Sequence, residues 1–155
     1  MKSLIIVHSY HHQNTLKVAK AMAEVLNAEV RTTTQPPSHT LSDYDLVGFG
    51  AGIDSGKHYR ELLDYAQALP QDVHGQKCFI FSTSAIQGKS KVAGDHATLR
   101  RILTEKGFVV LGEFSCKGFN TNSFLKHIGG MNKRHPDAKD IENAKRFAAG
   151  LIQDA

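Results

Sequence analysis

The sequence predicts an α/β fold, a three-layer sandwich in which a five-stranded parallel sheet lies between helices on both faces. Short apolar segments of strand length alternate with longer segments whose apolar residues recur every three or four positions, which is typical of βα units. The chain has 155 residues, of which 41% are hydrophobic, so one core of ordinary size is expected. Repeats, linkers and low-complexity segments are lacking, and we therefore predict a single domain over residues 1–155.

Each predicted strand is a short apolar run rich in β-branched or aromatic residues. The clearest examples are the Leu-Ile-Ile-Val run that begins at Leu4 and the Cys-Phe-Ile-Phe run that begins at Cys78. The five strands are predicted at residues 3–7, 29–32, 44–50, 77–82 and 108–114.

Helices are predicted after the first, third, fourth and fifth strands. The first has its apolar residues at helical spacing after Asn14, its predicted N-cap, and it ends near Asn27. Pro70 ends the second helix, and Gly107 ends the third because glycine adopts a left-handed cap at low cost. The fourth helix begins beyond Pro136.

The order of the strands decides which loops lie close together. Right-handed crossovers leave few arrangements for five parallel strands, and the commonest compact order is 2-1-3-4-5. Open α/β sheets bind ligands at the carboxyl ends of their strands, where the strand order reverses, which here is between the first and third strands. The loops that converge there are residues 8–15, 50–59 and 82–91.

The first loop carries donors suited to an anion. The hydroxyls of Ser9 and Thr15, the amide of Asn14 and the backbone N–H groups at the following helix N-terminus can all donate hydrogen bonds to a phosphate. His11 and His12 add positive charge when they are protonated. The alternative is that Asn14 and Thr15 merely cap the helix, and the spacing alone does not decide between the two interpretations.

The second loop is rich in glycine. Four glycines lie within residues 48–56, enough to bring the backbone close to a flat ligand. They are equally compatible with a tight turn between a strand and a helix.

The third loop offers the hydroxyls of Ser82, Thr83 and Ser84, with Ile86 as an apolar lid. A solvated surface loop would have a similar composition, so this segment by itself does not indicate a site.

Composition narrows the classes of function. The net charge is +4, but the lysines and arginines are scattered, so neither nucleic-acid binding nor membrane association is expected. The apolar run at residues 4–7 is too short for a signal peptide, and no segment approaches a membrane span, which predicts a soluble cytoplasmic protein. Cys78 and Cys116 indicate neither a disulfide framework nor a zinc cage, and packing is their expected role.

Metal and hydrolytic chemistry are not favoured. His8, His11 and His12 lie close in sequence, but no carboxylate or cysteine accompanies them at a recognised spacing, so no metal site is predicted. No Ser-His-Asp set and no pair of carboxylates points to a catalytic centre.

Several strings, taken together, resemble the short-chain flavodoxin family over nearly the whole chain. They are Ser-Tyr-His-His-Gln-Asn-Thr at 9–15, Gly-Ala-Gly-Ile-x-x-Gly-Lys-His at 50–58, Phe-Ser-Thr-Ser at 81–84, Gly-Glu-Phe-Ser-Cys-Lys-Gly-Phe-Asn-Thr at 112–121 and Ile-Gly-Gly-Met-Asn-Lys-Arg-His-Pro at 128–136. The resemblance implies a flavodoxin-like fold and an FMN-binding redox protein.

The resemblance also implies roles for individual residues. The first loop would hold the FMN phosphate, and the second and third would flank the isoalloxazine ring. The implied cofactor-binding residues are Ser9, Tyr10, His11, His12, Asn14, Thr15, Gly52, Ile53, Asp54, Gly56, Ser82, Thr83, Ser84, Ala85 and Ile86.

The chain departs from the family pattern at two places. Gln13 stands where flavodoxins usually have a glycine, which bears on the backbone geometry of the phosphate loop. Many members stack a Trp or Tyr on the flavin, whereas this chain has no Trp, and Ile53, His58 or Tyr59 is expected to take that place.

The function that the resemblance implies is electron transfer by bound FMN between redox partner proteins, such as a reductase or a ferredoxin-like donor or acceptor. Two alternatives remain open. One is an FMN-dependent NAD(P)H or quinone reductase, and the other is a non-redox module that binds a phosphate-bearing ligand. Because flavodoxins tend to be acidic and this chain is basic, its partner surface or flavin potential is expected to differ from the usual case.

Overall fold

The computed structural model describes residues 1–35, 41–71, 73–119 and 129–155. Two short 3₁₀ turns, His11–Gln13 and Leu41–Asp43, precede the first helix and the third strand. The strands are β1 (Ser3–His8), β2 (Glu29–Thr32), β3 (Leu46–Asp54), β4 (Lys57–His58), β5 (Lys77–Ser84) and β6 (Val109–Lys117). The helices are α1 (Asn14–Leu26), α2 (Arg60–Gln67), α3 (Lys89–Glu105) and α4 (Ala138–Asp154).

The sheet confirms the predicted fold class and strand order. Five parallel strands lie in the order β2-β1-β3-β5-β6, which is the predicted order 2-1-3-4-5. The sequence did not predict β4, a two-residue strand that pairs with the end of β3 in an antiparallel hairpin. Among the described residues, no helix is both long and apolar enough to cross a membrane.

Four strands, β1, β3, β5 and β6, are longer than predicted at their carboxyl ends. Backbone pairing continues beyond the apolar runs, with Gly52 opposite Thr83 and Ser84 opposite Lys117. Residues Ser82, Thr83 and Ser84 therefore belong to β5 and not to a loop, and Ile53 and Asp54 belong to β3. Polar side chains and glycine do not prevent pairing when both neighbouring strands continue alongside.

The prediction of Asn14 as an N-cap is wrong. Asn14 is the first residue of α1, and the preceding Gln13 is the N-cap without a capping side-chain hydrogen bond. The Asn14 side chain instead donates a hydrogen bond to the backbone oxygen of Phe119, so a long-range contact takes the place of the local cap. Asn27 does end the helix, in the left-handed conformation that suits asparagine.

The helices cover the two faces of the sheet. Alternate residues of β1 point to opposite faces, as the pleat of a strand requires. Leu4 and Ile6 belong to the core beneath α2 and α3, whereas Ile5 and Val7 belong to the core beneath α1 and α4.

Two of the four glycines in the second predicted loop serve core packing. A Cβ atom placed on Gly48 or Gly50 would collide with the ring of Phe79 or Phe81, respectively. Both rings are fully buried and extend over β3 from the neighbouring strand. These glycines therefore make room for phenylalanine, whereas Gly52 and Gly56 lie closer to the carboxyl end of the sheet.

Candidate functional site

A pocket opens at the carboxyl ends of β1, β3 and β5, where the strand order reverses. Its empty volume is about 390 Å³, a figure that includes the open mouth. It is lined by Ser9, Tyr10, Asn14, Thr15, Gly52, Ile53, Tyr59, Thr83, Ser84, Ala85, Gly118 and Phe119.

The structure brings together most of the residues that the sequence singled out, but not all of them. The pocket lining does not include His12, Asp54, Gly56, Ser82 and Ile86, and the side chain of His11 lies outside the described part of the chain. Sequence reasoning did not place Gly118 and Phe119 in the site, and it named Tyr59 only as a candidate for stacking on the flavin. A signal for Gly118 and Phe119 was present, since they lie a few residues beyond the fifth predicted strand, at the same edge of the sheet.

The first loop reaches α1 through two consecutive left-handed residues. His12 has φ 56° and Gln13 has φ 54°, a conformation that non-glycine residues adopt at an energetic cost. Beyond them the N-terminus of α1 meets the pocket, with Asn14 and Thr15 buried. The Leu16 N–H donates a hydrogen bond to Ser9 Oγ (3.3 Å), which fixes the loop to the first turn of the helix.

Asn14 ties the first loop to the segment after β6. Its Nδ2 donates to the Phe119 oxygen at 2.8 Å, while its Oδ1 is buried without a hydrogen-bond partner among the described residues. Gly118 allows this close approach, because a Cβ there would lie 2.8 Å from Asn14 Nδ2. The Phe119 ring packs against His12, with centroids 4.0 Å apart.

Two threonine hydroxyls meet beneath the pocket. Thr15 Oγ1 of α1 and Thr83 Oγ1 of β5 are 2.8 Å apart and buried, and either one can be the donor. Because one hydrogen bond uses only one of the two hydroxyl hydrogens, the pair retains a second hydrogen for another acceptor.

The β3–β4 hairpin forms the second wall. Its two turn residues, Ser55 (φ 50°) and Gly56 (φ 79°), are both left-handed, as in the tight turns that suit twisted hairpins. Gly52 is required here, since a Cβ would lie 2.5 Å from the ring of Tyr59. Ile53 and Tyr59 both line the pocket and remain candidates for contact with a flat ligand.

His58, the third stacking candidate, is excluded because its ring is buried away from the pocket. Its Nε2 donates to the Phe81 oxygen at 3.1 Å, and its ring packs 4.8 Å from that of His96. Burial, together with the neighbouring His96, lowers the pKa of His58 to about 3, so the imidazole is neutral.

Ser82 faces the interior, toward α3. Its Oγ lies 2.7 Å from His96 Nε2, and His96 Nδ1 lies 3.0 Å from Glu113 Oε2, which Arg100 also binds. Burial lowers the pKa of His96. Burial alone would raise the pKa of Glu113, but the hydrogen bonds from Arg100 and the nearby charges lower it. Although the order Ser-His-Glu resembles a hydrolase triad, Ser82 is only 1% exposed, so the chain of hydrogen bonds joins α3 to the sheet and does not present a nucleophile.

The third segment is held firmly and is not a solvated loop. Ser84 Oγ donates to the Ile86 oxygen at 2.8 Å and accepts from Gln87 Nε2 at 2.7 Å. Gln87 Nε2 also lies 3.0 Å from the Cys116 oxygen. The backbone of this pocket wall is thereby fixed against β6.

The two cysteines, and one group of possible metal ligands in the described part of the chain, have structural roles. Cys78 and Cys116 are free and buried, and burial raises the pKa of each thiol to about 12. His135, Asp137 and Asp140 lie close together, but both carboxylates cap the N-terminus of α4, whose dipole disfavours a cation.

The fold accords with the comparisons to known proteins. The Flavodoxin domain family model matches residues 5–115, and the chain belongs to the flavodoxin family. An uncharacterized protein of Methanocaldococcus jannaschii, MJ0298, is 40% identical over 154 residues, which cover 99% of this chain and 100% of that protein.

Solved structures show the same fold at low sequence identity. Flavodoxin 2 of Bacillus cereus has a TM-score of 0.71 and 17% identity over 100% of both chains. A Fusobacterium nucleatum flavodoxin bound to flavin mononucleotide has a TM-score of 0.67 and 11% identity, covering 99% of each chain. Rubredoxin:oxygen oxidoreductase of Desulfovibrio gigas has a TM-score of 0.64 and 18% identity, over 99% of this chain and 36% of that one.

Proposed function

We propose that this protein binds FMN non-covalently and carries electrons between redox partner proteins. The observation that carries the proposal is the pocket at the point where the strand order of this flavodoxin-family sheet reverses. The pocket combines a helix N-terminus and hydroxyl groups with apolar walls. The neighbouring Fusobacterium nucleatum flavodoxin, solved with flavin mononucleotide, supports the choice of cofactor. When bound, FMN supplies the electron-transfer chemistry, and the protein supplies binding, orientation and electrostatics.

The first loop fits the phosphate end of FMN. The N-terminus of α1 offers backbone donors and the positive end of a helix dipole, and Ser9 and Thr15 offer hydroxyls beside it. Asn14 Oδ1, buried without a described partner, is suited to accept a hydrogen bond from a hydroxyl of the ligand. The residues present therefore suit a phosphate ester that carries a polyol chain.

The walls of the pocket fit the ring end. Ile53 and Tyr59 on the hairpin side and Ala85 on the β5 side would contact the faces of a flat heterocycle. Because Gly52 and Gly118 carry no side chain, their main-chain groups would be open to hydrogen bonds with the edge of the ring. The chain would thus orient the ring and exclude water from its faces.

FMN and riboflavin test the proposal together, because they share the ring and differ in the phosphate. Titration of the purified protein, followed by quenching of flavin fluorescence, is expected to show FMN binding at least about tenfold more tightly than riboflavin. Thr15→Val removes a buried hydroxyl and is expected to weaken FMN binding, whereas Thr104→Val, the same change at an exposed position of α3, is not. Failure to bind FMN would refute the proposed function, and equal affinity for both flavins would refute the phosphate site.

The role of a carrier is tested separately from cofactor binding. A carrier is expected to oxidise almost no NADPH in the presence of a quinone until a separate flavin reductase is added. Sustained turnover by the protein alone would instead identify a quinone reductase on the same fold.

A further inference from the structure

We propose that the mouth of the pocket is a docking face for an acidic electron-transfer protein. This inference rests on the proposed function, since docking there would bring the partner to the bound flavin. The face combines exposed apolar side chains with exposed cations around them. We call these cations the basic rim. The basic rim consists of Lys57, Lys89, Lys117, Lys133 and Arg134.

The basic rim lies directly beside the pocket. Lys117 ends β6 and is followed at once by Gly118, which lines the pocket. Lys133 follows Asn132, whose Nδ2 donates a 2.8 Å hydrogen bond to the oxygen of Ala85, another lining residue. The geometry of these two sides is therefore fixed relative to the site.

Positive charge exceeds negative charge around the rim. None of the rim residues forms an ion pair with any residue in the described part of the chain. Three carboxylates lie nearby: Asp137 and Asp140 bind the N-terminus of α4 and His135, and Asp54 lies opposite Lys57 in the β3–β4 hairpin.

Several exposed carboxylates elsewhere on the surface lie in local pairs with cations. Such pairs largely cancel at a distance, whereas the rim places five cations without an ion pair in the described residues around one pocket; Lys17 and Lys20 on α1 also have no ion pair there. Examples of the local pairs are Glu24 with Lys145, Glu105 with Arg101, Asp64 with Arg60 and Glu142 with Arg146.

A phosphate held by the first loop would not account for the rim. The first loop, residues 9–15, contains no lysine or arginine, so the helix N-terminus and the hydroxyls are the groups placed to hold the anion. The rim lies instead on the hairpin, at the start of α3 and after β6, on the sides of the ring end. The positive charge of the rim can therefore interact with a partner protein.

Apolar side chains at the mouth favour a protein over a polyanion such as nucleic acid. Tyr10 is 64% exposed, Ile86 is 59% exposed and Met131 is 40% exposed. A protein interface uses such side chains at its centre and charge at its edge, whereas nucleic-acid binding relies mainly on contacts with phosphates. The arrangement therefore fits an acidic protein with an apolar centre.

Binding of an acidic [2Fe–2S] ferredoxin, measured by calorimetry with and without FMN, tests the docking face. The expected result is an affinity that falls with added salt and exceeds that for basic cytochrome c. The double variant Lys117→Glu/Lys133→Glu is expected to weaken ferredoxin binding by at least about tenfold. Lys20→Glu/Lys77→Glu is the matched control: it changes the net charge equally, on the exposed surface of α1 and at the amino end of β5, and a loss of less than about twofold is expected.

The outcomes separate this inference from the proposed function. If the protein takes up FMN but both double variants weaken ferredoxin binding equally, or cytochrome c binds as tightly, the docking face is refuted and the cofactor proposal stands. If FMN does not bind, the proposed function fails, and ferredoxin binding to the flavin-free protein still decides the docking face. Tighter binding of a DNA duplex than of ferredoxin, abolished by the rim variant, would also refute it.

Discussion

The identity of one left-handed residue sets this pocket apart from the pattern that the family resemblance implies. Gln13 has φ 54°, a conformation that its side chain disfavours, at the position where that pattern places a glycine. The sequence shows the glutamine, but only the dihedral angle shows that its backbone is left-handed. The strain lies directly before the helix N-terminus that faces the pocket.

Replacing Gln13 by glycine is expected to stabilise the flavin-free protein. Relief of the left-handed strain outweighs the added freedom of the unfolded chain, and the expected net gain is about 0.5–1 kcal/mol. Urea denaturation measures the change. Gln13→Ala is the control, since it removes the same side chain, including the 3.3 Å contact from Nε2 to the Tyr10 oxygen, yet retains the strain. A glycine variant no more stable than the alanine variant would contradict the explanation.

The neutral imidazole of His58 predicts that stability falls in acid. Its pKa is about 3 in the folded protein and about 6.5 when unfolded, so between these values the unfolded state binds more protons and the free energy of unfolding rises with pH. The contribution is complete above pH 6.5 and is lost as the pH falls toward 3. His58→Gln replaces the imidazole N–H donor by an amide N–H donor that cannot titrate. The substitution is expected to reduce the slope of the unfolding free energy against pH, between pH 6.5 and 4.5, by up to about 1.4 kcal/mol per pH unit.

The pH range of the stability change distinguishes titration of His58 from titration of the carboxylates. Glu113 has a lowered pKa and destabilises the protein on protonation only below about pH 4.5. His96, which packs against His58, also has a lowered pKa, so part of the slope is expected to remain in the variant. An unchanged slope in His58→Gln would show that His58 does not titrate on unfolding.

Elements were predicted well where apolar periodicity marks them and poorly where it does not. The sequence predicted β2 with the bounds that the structure has, and the strand order was predicted as the commonest compact order that right-handed crossovers allow. It missed β4 because two residues carry no periodic signal, and it ended β3 and β5 too early because Gly52 and Thr83 pair with each other without apolar side chains. The ends of these strands are where the pocket forms.

Packing between β3 and β5 can be tested with two glycine-to-alanine substitutions that are expected to change stability in opposite directions. Gly50→Ala is expected to destabilise the protein by about 1–3 kcal/mol, because the new methyl group collides with the buried ring of Phe81. Gly94→Ala, the same substitution in α3 at a position with nothing within 4 Å, is expected to stabilise it by about 0.5–1 kcal/mol. Thermal and urea unfolding of both variants measure the contrast. Equal effects would contradict the packing role of Gly50.

At the scale of the whole molecule, the site is assembled from segments distant in sequence. The loops after β1, β3 and β5 could be brought together in advance from the predicted strand order, and their polar composition indicated a ligand. Tyr59 ends the second of these loops, whereas the place of Phe119 against the first loop depends on a contact made only after folding. The clearest example is the hydrogen bond from Asn14 to Phe119, which spans 105 positions. The single-domain prediction for residues 1–155 stays a prediction.

Cofactor binding is expected to raise the thermal stability of the whole chain. FMN at about one hundred times its dissociation constant would add about 2.7 kcal/mol to the free energy of unfolding. For a chain of 155 residues this corresponds to an increase in Tm of about 5–10 °C. Differential scanning fluorimetry or calorimetry measures it, with riboflavin at the same concentration as the control. A flat Tm over the FMN titration would contradict binding to the folded state.

The paired hydroxyls of Thr15 and Thr83 give the pocket a donor that can be redirected without moving the main chain. Rotation of the two side-chain hydrogens exchanges which oxygen donates and which accepts, so one hydrogen always remains to point elsewhere. A ligand oxygen that gains or loses a proton can therefore be matched by a bond rotation within picoseconds to nanoseconds. The rigid edge of the sheet would then tolerate changes in the charge of a bound ligand without a change in its own shape.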